Sequence, residues 1–289
     1  MIDDSCVARK ANKETSTDPD ILACMLRIKE DLEKQPKHLP EWPAGKRGAP
    51  NEILRSALFC AKNRNTPRPY LKDIEVAVIG EGRILYRGEE LRQDDELVWL
   101  HLVHLGKGTP LGQCVEFSPY SFIKAIGWPT NGGGYEHLRI CISRMVATAV
   151  KFTSKRLHGT VAISMIRKCE FYDSVTSVPL RHWQIWLEPE MQILFSDHSY
   201  TLIDLNCRKR LPDGIASKLH SYWSSHRDPY PVRVETLQKL CGSMMDLKHF
   251  KAKLSSALDQ LVKIGFLTKW TVAGNLVTVI REKDKTVRL

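Results

Sequence analysis

The order of predicted elements in the last third is the feature that most constrains the fold of this 289-residue chain. Residues 213–226 carry a helical apolar pattern, and a short strand and a short helix follow them. A long amphipathic helix over 246–264 comes next, and two strand patterns at 266–272 and 276–281 close on a tight turn. This order is typical of a winged helix, in which the second helix of a helix-turn-helix enters the major groove of DNA.

The positive charge is concentrated in the same part of the chain. The formal net charge is +10, and residues 200–289 hold 16 Lys and Arg against 8 Asp and Glu. Residues 1–50 are balanced, whereas residues 120–185 hold nine basic residues against three acidic ones. A basic surplus indicates a polyanionic partner, for which nucleic acid is the leading candidate. Two separate basic regions favour a binder with two contact surfaces.

The predicted fold class is α+β, with two tandem winged-helix domains preceded by a largely flexible N-terminal arm. Residues 1–49 form that arm, because they are rich in charged residues and proline and contain only a short amphipathic stretch at 21–32. Residues 50–198 form the first domain and residues 199–289 the second. The predicted elements of the first domain are a helix that Asn51 caps, strands at 74–79 and 83–86, helices at 94–105, 118–126 and 134–151, and a hairpin of two long strands at 160–172 and 178–187.

The helices 134–151 and 246–264 carry side chains that are predicted to contact DNA. Lys and Arg reach phosphates or pair with guanine, and Ser can bond to either a phosphate or a base. Ile140 on the first helix either meets a thymine methyl group or packs on the hairpin, and a lysine-rich helix face can also serve solubility alone. The candidate DNA-binding residues are Arg139, Ser143, Arg144, Lys155, Arg156, Arg167 and Lys168 in the first domain, and Lys248, His249, Lys251, Lys253, Ser255 and Lys269 in the second.

The sequence offers little for catalysis, metal binding or membrane insertion. It lacks the glycine–lysine motif of a phosphate-binding loop, and its eight cysteines are too widely spaced for a zinc ribbon. His101 and His104 lack a third ligand nearby and are predicted to lie at the edge of the core. We therefore expect no catalytic residues, no metal and no cofactor. Without an apolar run of about 20 residues or a signal peptide, we expect a cytoplasmic protein that does not bind membranes.

Several blocks of sequence resemble the TrfA family of broad-host-range plasmid replication initiators. They occur in order over residues 40–281. The blocks are Pro50-Asn51, residues 55–59, 88–92 and 94–99, Gly127-Trp128, Asn131-Gly132, Leu138, Ser143-Arg144, residues 147–149, 152–154, 224–227, 229–231, 235–237 and 240–243.

The resemblance implies a protein that binds direct repeats, called iterons, in a plasmid origin through two winged-helix domains. By position, it also implies that helices 134–151 and 246–264 are the two recognition helices. It implies a role in melting the adjacent DNA with the host initiator, in loading the host replicative helicase, and in plasmid copy control and transcription autoregulation. Self-association between monomer and dimer is part of the expectation. Some members carry a motif for docking the sliding clamp, and residues 33–39 lack it, so the resemblance leaves clamp binding in doubt for this chain.

Two other functions are compatible with these patterns. One is a dimeric winged-helix transcriptional repressor, in which the first half is a dimerisation or effector domain. The other is a nicking or strand-transfer enzyme, which would form a covalent DNA–tyrosine adduct. The family resemblance favours a non-enzymatic initiator over both.

Overall fold

The computed structural model describes residues 37–282, apart from 64, 158, 174–175 and 197–198. These residues belong to one compact unit that begins at Lys37. The predicted amphipathic stretch at 21–32 lies outside the described residues.

The end of the predicted flexible arm is part of the fold. Leu39 and Trp42 are buried, and the Trp42 ring stacks on Phe195 with ring centroids 5.9 Å apart. Strand β1 (Lys46–Pro50) then pairs antiparallel with β9 (Tyr200–Asp204). The predicted arm over 1–49 is therefore too long at its C-terminal end, because two large apolar side chains in the proline-rich segment enter the core.

A first hydrophobic core gathers buried side chains from Leu39 to Leu205. Beside β1 and β9, a four-stranded antiparallel sheet has the order β2-β3-β5-β6 and a three-stranded one the order β4-β8-β7. These strands are β2 (Tyr70–Val76), β3 (Arg83–Glu89), β4 (Cys114–Phe117), β5 (Ala149–Ser154), β6 (Gly159–Ile163), β7 (Lys168–Tyr172) and β8 (Pro179–Trp186). The helices are α1 (Asn51–Leu54), α2 (Gln93–Gly106), α3 (Pro119–Ile126), α4 (Gly132–Val146), α5 (Met191–Leu194) and α6 (Leu205–Lys209).

Helices α2 and α3 follow the predicted positions closely. Helix α2 is buried over almost its whole length, including its acidic first turn. Ser118 caps α3 and Pro119 occupies its first position, as predicted. Gly127 ends α3 with a φ of +79°, a conformation that costs glycine little and other residues more.

The helix predicted from Asn51 ends after one turn. Asn51 is engaged with the strand region at 199–201, because its backbone N–H donates to Ser199 O (2.9 Å) and its Oδ1 accepts from Thr201 Oγ1 (2.7 Å). Downstream, Ala57 N–H donates to Ala77 O at 2.7 Å. The backbone from residue 55 onward thus bonds to a neighbouring segment, and this tertiary pairing replaces the local helix.

The predicted helix 134–151 and the predicted long strand 160–172 are each divided differently in the structure. Helix α4 stops at Val146, and residues 149–154 form β5 between β3 and β6. The run 160–172 splits into β6 and β7, which belong to different sheets. At the break, Met165 N–H donates to Thr148 Oγ1 (3.0 Å) and Met165 O accepts from Trp99 Nε1 (3.1 Å), so the backbone leaves the strand.

A second hydrophobic core runs from Leu211 to Val279. Its elements are α7 (Ile215–Ser224), β10 (Val232–Arg233), α8 (Val234–Leu240), α9 (Leu247–Lys263), β11 (Leu267–Ala273) and β12 (Leu276–Arg281). The strands form a sheet of order β10-β12-β11, and the element order matches the prediction. The predicted boundary at 199 falls too early, because β9 pairs with β1 and Ile203 and Leu205 are buried in the first core.

No helix in the described ranges has both the length and the apolar character needed to cross a bilayer.

Candidate nucleic-acid interface

The N-terminus of α4 is built by a side-chain cap and by a glycine at a point of close backbone approach. Asn131 Oδ1 accepts a hydrogen bond from Gly134 N–H at 3.0 Å. A Cβ atom on Gly134 would lie 1.9 Å from Pro129 O, whereas one on Gly132 would have open space around it. The loop therefore approaches the first turn of α4 so closely that any side chain at position 134 would force the backbone to shift.

Helix α4 presents one narrow polar face to solvent. Leu138, Cys141, Ile142 and Met145 are fully buried on the opposite side. The exposed face carries Arg139, whose guanidinium pairs with Glu136 at 2.6 Å, together with the Ser143 hydroxyl. Ile140 stands on this face and is 42% exposed. An exposed cation, a hydroxyl and an apolar side chain are suited to a phosphate, a base edge and a thymine methyl group respectively.

Arg144 does not belong to this exposed face, and its predicted role as a DNA contact needs correction. Its side chain is only 8% exposed, and the guanidinium pairs with Asp95 at 2.5 Å and Glu89 at 3.0 Å. Burial opposes the charge, but the nearby carboxylates raise the pKa of Arg144 above its usual value. The sequence pattern predicts that Arg144 faces solvent. In the structure its side chain turns inward, because it pairs with the buried Asp95 carboxylate of α2.

The four remaining first-domain candidates differ in how available they are. Arg156 is held by Glu52 at 2.5 Å and by Ile193 O at 3.0 Å, so its guanidinium ties the turn after β5 to α1 and α5. Lys155 is 88% exposed and stands 3.6 Å from Glu81. Arg167 and Lys168, at the start of β7, are also exposed. The Lys168 ammonium pairs with Glu170 at 2.5 Å and lies 4.4 Å from the centroid of the Trp186 ring.

Helix α9 carries a cluster of exposed candidate residues. Asp246 caps the helix by accepting from His249 N–H at 2.9 Å, and the His249 ring also bonds to the Asp246 carboxylate. This partner lowers the pKa of Asp246. Lys248, His249 and Lys253 are exposed, while Phe250 and Leu254 are buried in the second core. The N-terminal half of α9 therefore points two lysines and an imidazole into solvent.

Three further candidates connect α9 with the β11–β12 hairpin or lie on it. Lys251 donates to Asn275 Oδ1 at 2.5 Å, and Asn275 Nδ2 donates to Glu235 Oε1 at 2.7 Å, so this chain of contacts ties α9, the hairpin turn and α8 together. Ser255 donates to the Lys251 carbonyl at 3.1 Å, one turn back along the helix. Lys269 is exposed on β11.

The described part of the chain brings together one trio of potential metal ligands that the sequence did not suggest. The ligand atoms of Asp94, His137 and Cys141 lie within 4.8 Å of one another. The donor set does not suit a cation, because Arg68 already binds the Asp94 carboxylate at 2.7 and 2.9 Å and burial raises the pKa of the Cys141 thiol well above its usual value. The three residues are separated in sequence, and no spacing rule connects them.

His101 is buried in the first core and His104 is half-buried at its edge, in agreement with their predicted position at the edge of the core. His101 Nδ1 accepts from Arg47 Nε at 3.2 Å, and His104 Nδ1 accepts from Trp42 Nε1 at 2.9 Å. Burial lowers the pKa of His101 to about 3 and that of His104 to about 4. Both rings are therefore neutral acceptors that anchor residues 42–47 against α2.

The comparisons with known proteins agree with the resemblance. The family model described as TrfA protein matches residues 23–281. The plasmid replication initiator protein TrfA of Escherichia coli is 33% identical over 240 residues, which cover 82% of this chain and 62% of that protein. This chain therefore spans less than two thirds of the length of that relative.

Two solved structures have a fold similar to that of this chain. A crystal structure of domains 2 and 3 of RctB, as a selenomethionine derivative, aligns with a TM-score of 0.55 at 14% identity and covers 82% of this chain and 99% of that one. Another structure of RctB domains 2–3 aligns with a TM-score of 0.51 at 14% identity, over 80% and 96% of the two chains. At this identity the likeness concerns the fold alone. The family match over most of the chain shows that the protein belongs to the TrfA family.

Proposed function

We propose that this protein is a plasmid replication initiator that binds repeated sequences in an origin through α4 and α9. The observation that carries the proposal is the exposed N-terminal half of α9, where Lys248, His249 and Lys253 face solvent on a helix whose opposite face packs in the second core. The Escherichia coli relative, whose name describes a plasmid replication initiator, supports the same function.

In this proposal the second core acts as a winged helix. Helices α8 and α9 form the helix-turn-helix, and α9 enters the major groove with its N-terminal residues toward the bases. The β11–β12 hairpin lies beside the groove, where Lys269 meets a phosphate. Lys251 orients the hairpin turn through Asn275, and the Ser255 hydroxyl is turned to its own helix until DNA competes for it.

The first core supplies the second DNA contact through α4. Arg139 and Ser143 contact the DNA from the exposed face, and Ile140 presses against a thymine methyl group. Lys155, Arg167 and Lys168 add phosphate contacts from the flanking strands. Arg144 and Arg156 act indirectly, because their guanidinium groups hold neighbouring elements in place.

The proposed activity is non-enzymatic and takes place on plasmid DNA in the bacterial cytoplasm. Binding to the iterons would promote opening of the origin with the host initiator, help to recruit the host replicative helicase, and contribute to copy control and autoregulation through a monomer–dimer equilibrium. DNA contacts of this kind need no cofactor, since phosphate neutralisation and base readout supply the affinity.

The test is a binding titration with a duplex that carries the origin repeats, performed over a range of salt concentrations. We expect the Lys248→Glu/Lys253→Glu variant to lose at least about 100-fold in affinity. Its salt slope should also become shallower, because each exposed lysine that neutralises a phosphate adds about 0.9 to that slope. The Lys72→Glu variant is the matched control, because Lys72 is exposed on β2, outside both helices. Unchanged affinity and salt slope in the double variant would rule out α9 as the DNA-binding helix.

Origin activity separates initiation from repression. A plasmid that carries the repeats should fail to replicate in cells without the protein and should replicate when the protein is supplied. Replication that does not need the protein, together with repeat binding in vitro, would favour the dimeric repressor. A covalent DNA–tyrosine adduct would instead indicate a nicking enzyme.

A further inference from the structure

The first turn of α2 contains three consecutive acidic residues, Asp94, Asp95 and Glu96, that we call the acidic turn. All three side chains are buried, with at most 1% of each residue exposed. Carboxylates at a helix N-terminus are favoured by the helix dipole, but complete burial of three of them is costly unless each has a partner. Their partners lie on different elements.

Two members of the acidic turn hold α4. Asp94 Oδ2 bonds to His137 Nε2 at 2.9 Å, and Asp95 Oδ1 accepts from Arg144 Nη1 at 2.5 Å. Arg68 braces both carboxylates from the other side, with distances of 2.7 Å to Asp94 and 2.5 Å to Asp95. Helix α4 is thus fixed to α2 at two points along its length, in addition to its apolar packing on the same helix.

The third member faces the second core. Glu96 Oε2 accepts from Ser221 Oγ of α7 at 3.1 Å, and the positive charge of Lys218, also on α7, acts on the Glu96 carboxylate. Glu96 Oε1 and Lys218 Nζ are both buried without a hydrogen-bond partner among the described residues. Helix α7 packs directly against α9. A continuous path of contacts therefore joins α4 to α9 through α2 and α7.

Other contacts across the two cores are also directional and polar. Ala61 N–H donates to Cys241 O at 2.8 Å, and Arg55 Nε donates to Ser225 Oγ at 3.0 Å. Buried polar groups contribute little net stability. If the two cores changed their relative orientation, these groups would lose their partners, and apolar packing carries no such penalty, so polar contacts define one orientation better.

We propose that the acidic turn is the junction that sets the distance and rotation between α4 and α9, and thereby the spacing of the two DNA segments that the protein can bind at once. Its residues are positioning residues, because all three side chains are buried out of reach of DNA. The DNA part of this proposal rests on the proposed function, whereas the orientation of the two helices can be measured without DNA.

The first experiment measures the distance between the helices in the full chain. Spin labels on non-natural amino acids at the exposed positions Ile140 of α4 and Val262 of α9 leave the native cysteines untouched. The unmodified junction should give one narrow distance distribution, and Glu96→Gln should shift or broaden it. Ser221→Ala is a milder second variant, because it removes one hydrogen bond and buries no new charge. Glu75→Gln, which breaks the exposed Arg83–Glu75 pair, is the matched control and should leave the distribution narrow.

The second experiment lengthens the DNA between the two segments that α4 and α9 are proposed to contact by half a helical turn, about five base pairs. The unmodified chain should lose about 100-fold in affinity, because the two contacts no longer form together. Glu96→Gln and Ser221→Ala should bind the original duplex about tenfold more weakly and lose far less on lengthening, because a loosened junction can follow the new spacing.

The outcomes separate the two proposals. Unchanged distances in both variants, with the same penalty for the lengthened DNA as in the unmodified chain, would overturn the role of the acidic turn and leave the DNA-binding function intact. If the unmodified chain fails to bind origin DNA, the proposed function fails, and the distance measurement still decides whether the acidic turn orients the helices.

Discussion

Two arginines on α4 show how one residue type takes opposite roles within two turns of a helix. Arg139 is exposed beside Glu136, whereas Arg144 is enclosed by Asp95 and Glu89. We expect Arg144→Gln to lower the free energy of unfolding by about 3 kcal/mol, because it leaves a buried carboxylate with one partner fewer. Arg139→Gln should change stability by less than about 0.5 kcal/mol and weaken DNA binding. Urea unfolding and a binding titration of both variants check this, and an Arg144→Gln variant as stable as the unmodified protein would contradict it.

The lowered pKa values of the two histidines on α2 lead us to expect that stability depends on pH. The pKa of His101 (about 3) and that of His104 (about 4) lie below the usual value near 6.5, because burial excludes the charged ring. Between pH 6.5 and these lowered values the unfolded chain binds protons that the folded chain does not, so the free energy of unfolding falls as the pH decreases. Each histidine contributes a slope of up to about 1.4 kcal/mol per pH unit.

Urea unfolding of His101→Gln between pH 7 and pH 4.5 tests that dependence. The variant should be less stable at pH 7 but should lose less stability on acidification than the unmodified protein. His182→Gln, at an exposed position, is the control. Identical pH slopes for His101→Gln and the unmodified protein would show that His101 is not the group responsible.

At the scale of elements, the start of α4 offers a matched pair of glycines. Gly134→Ala places a methyl group against Pro129 O and should lower the free energy of unfolding by about 1–3 kcal/mol, as overpacking does. Gly132→Ala meets open space and should be neutral or stabilising by up to about 1 kcal/mol. Thermal unfolding of both variants measures the difference. Equal midpoints would mean that the loop can move away from position 134 at no cost.

Elements with strong local signals were predictable, and elements decided by distant pairing were not. The caps Ser118 and Asp246 and the apolar stripe of α9 are local features, and the structure confirms them. Residues 149–151 continue a helical pattern, yet they form β5 because β3 and β6 bond to them on both sides. The local sequence pattern does not show which distant strands pair with a segment, so the end of α4 could not be located from the sequence.

At the scale of the whole molecule, the sequence indicates two basic regions, and the structure contains two hydrophobic cores. Each basic region lies on the elements that surround one of these cores. The exposed residues of α9 could be predicted because a periodic stripe defines the opposite face. The inward turn of Arg144 and the acidic turn between the cores could not, because Asp95 and Glu96 lie far in sequence from Arg144 and Ser221, which they contact. Charge counting cannot separate a cation that faces solvent from one that a buried carboxylate holds.

The most direct test of two-helix DNA binding is a hydroxyl-radical footprint of the purified protein on its origin repeats. We predict two protected segments in each repeat. The Lys248→Glu/Lys253→Glu variant should lose one of them and the Arg139→Glu/Lys168→Glu variant the other, because each pair lies on a different core. A single protected segment that both variants affect equally, or protection that ignores the repeats, would contradict the proposal that α4 and α9 bind one duplex together.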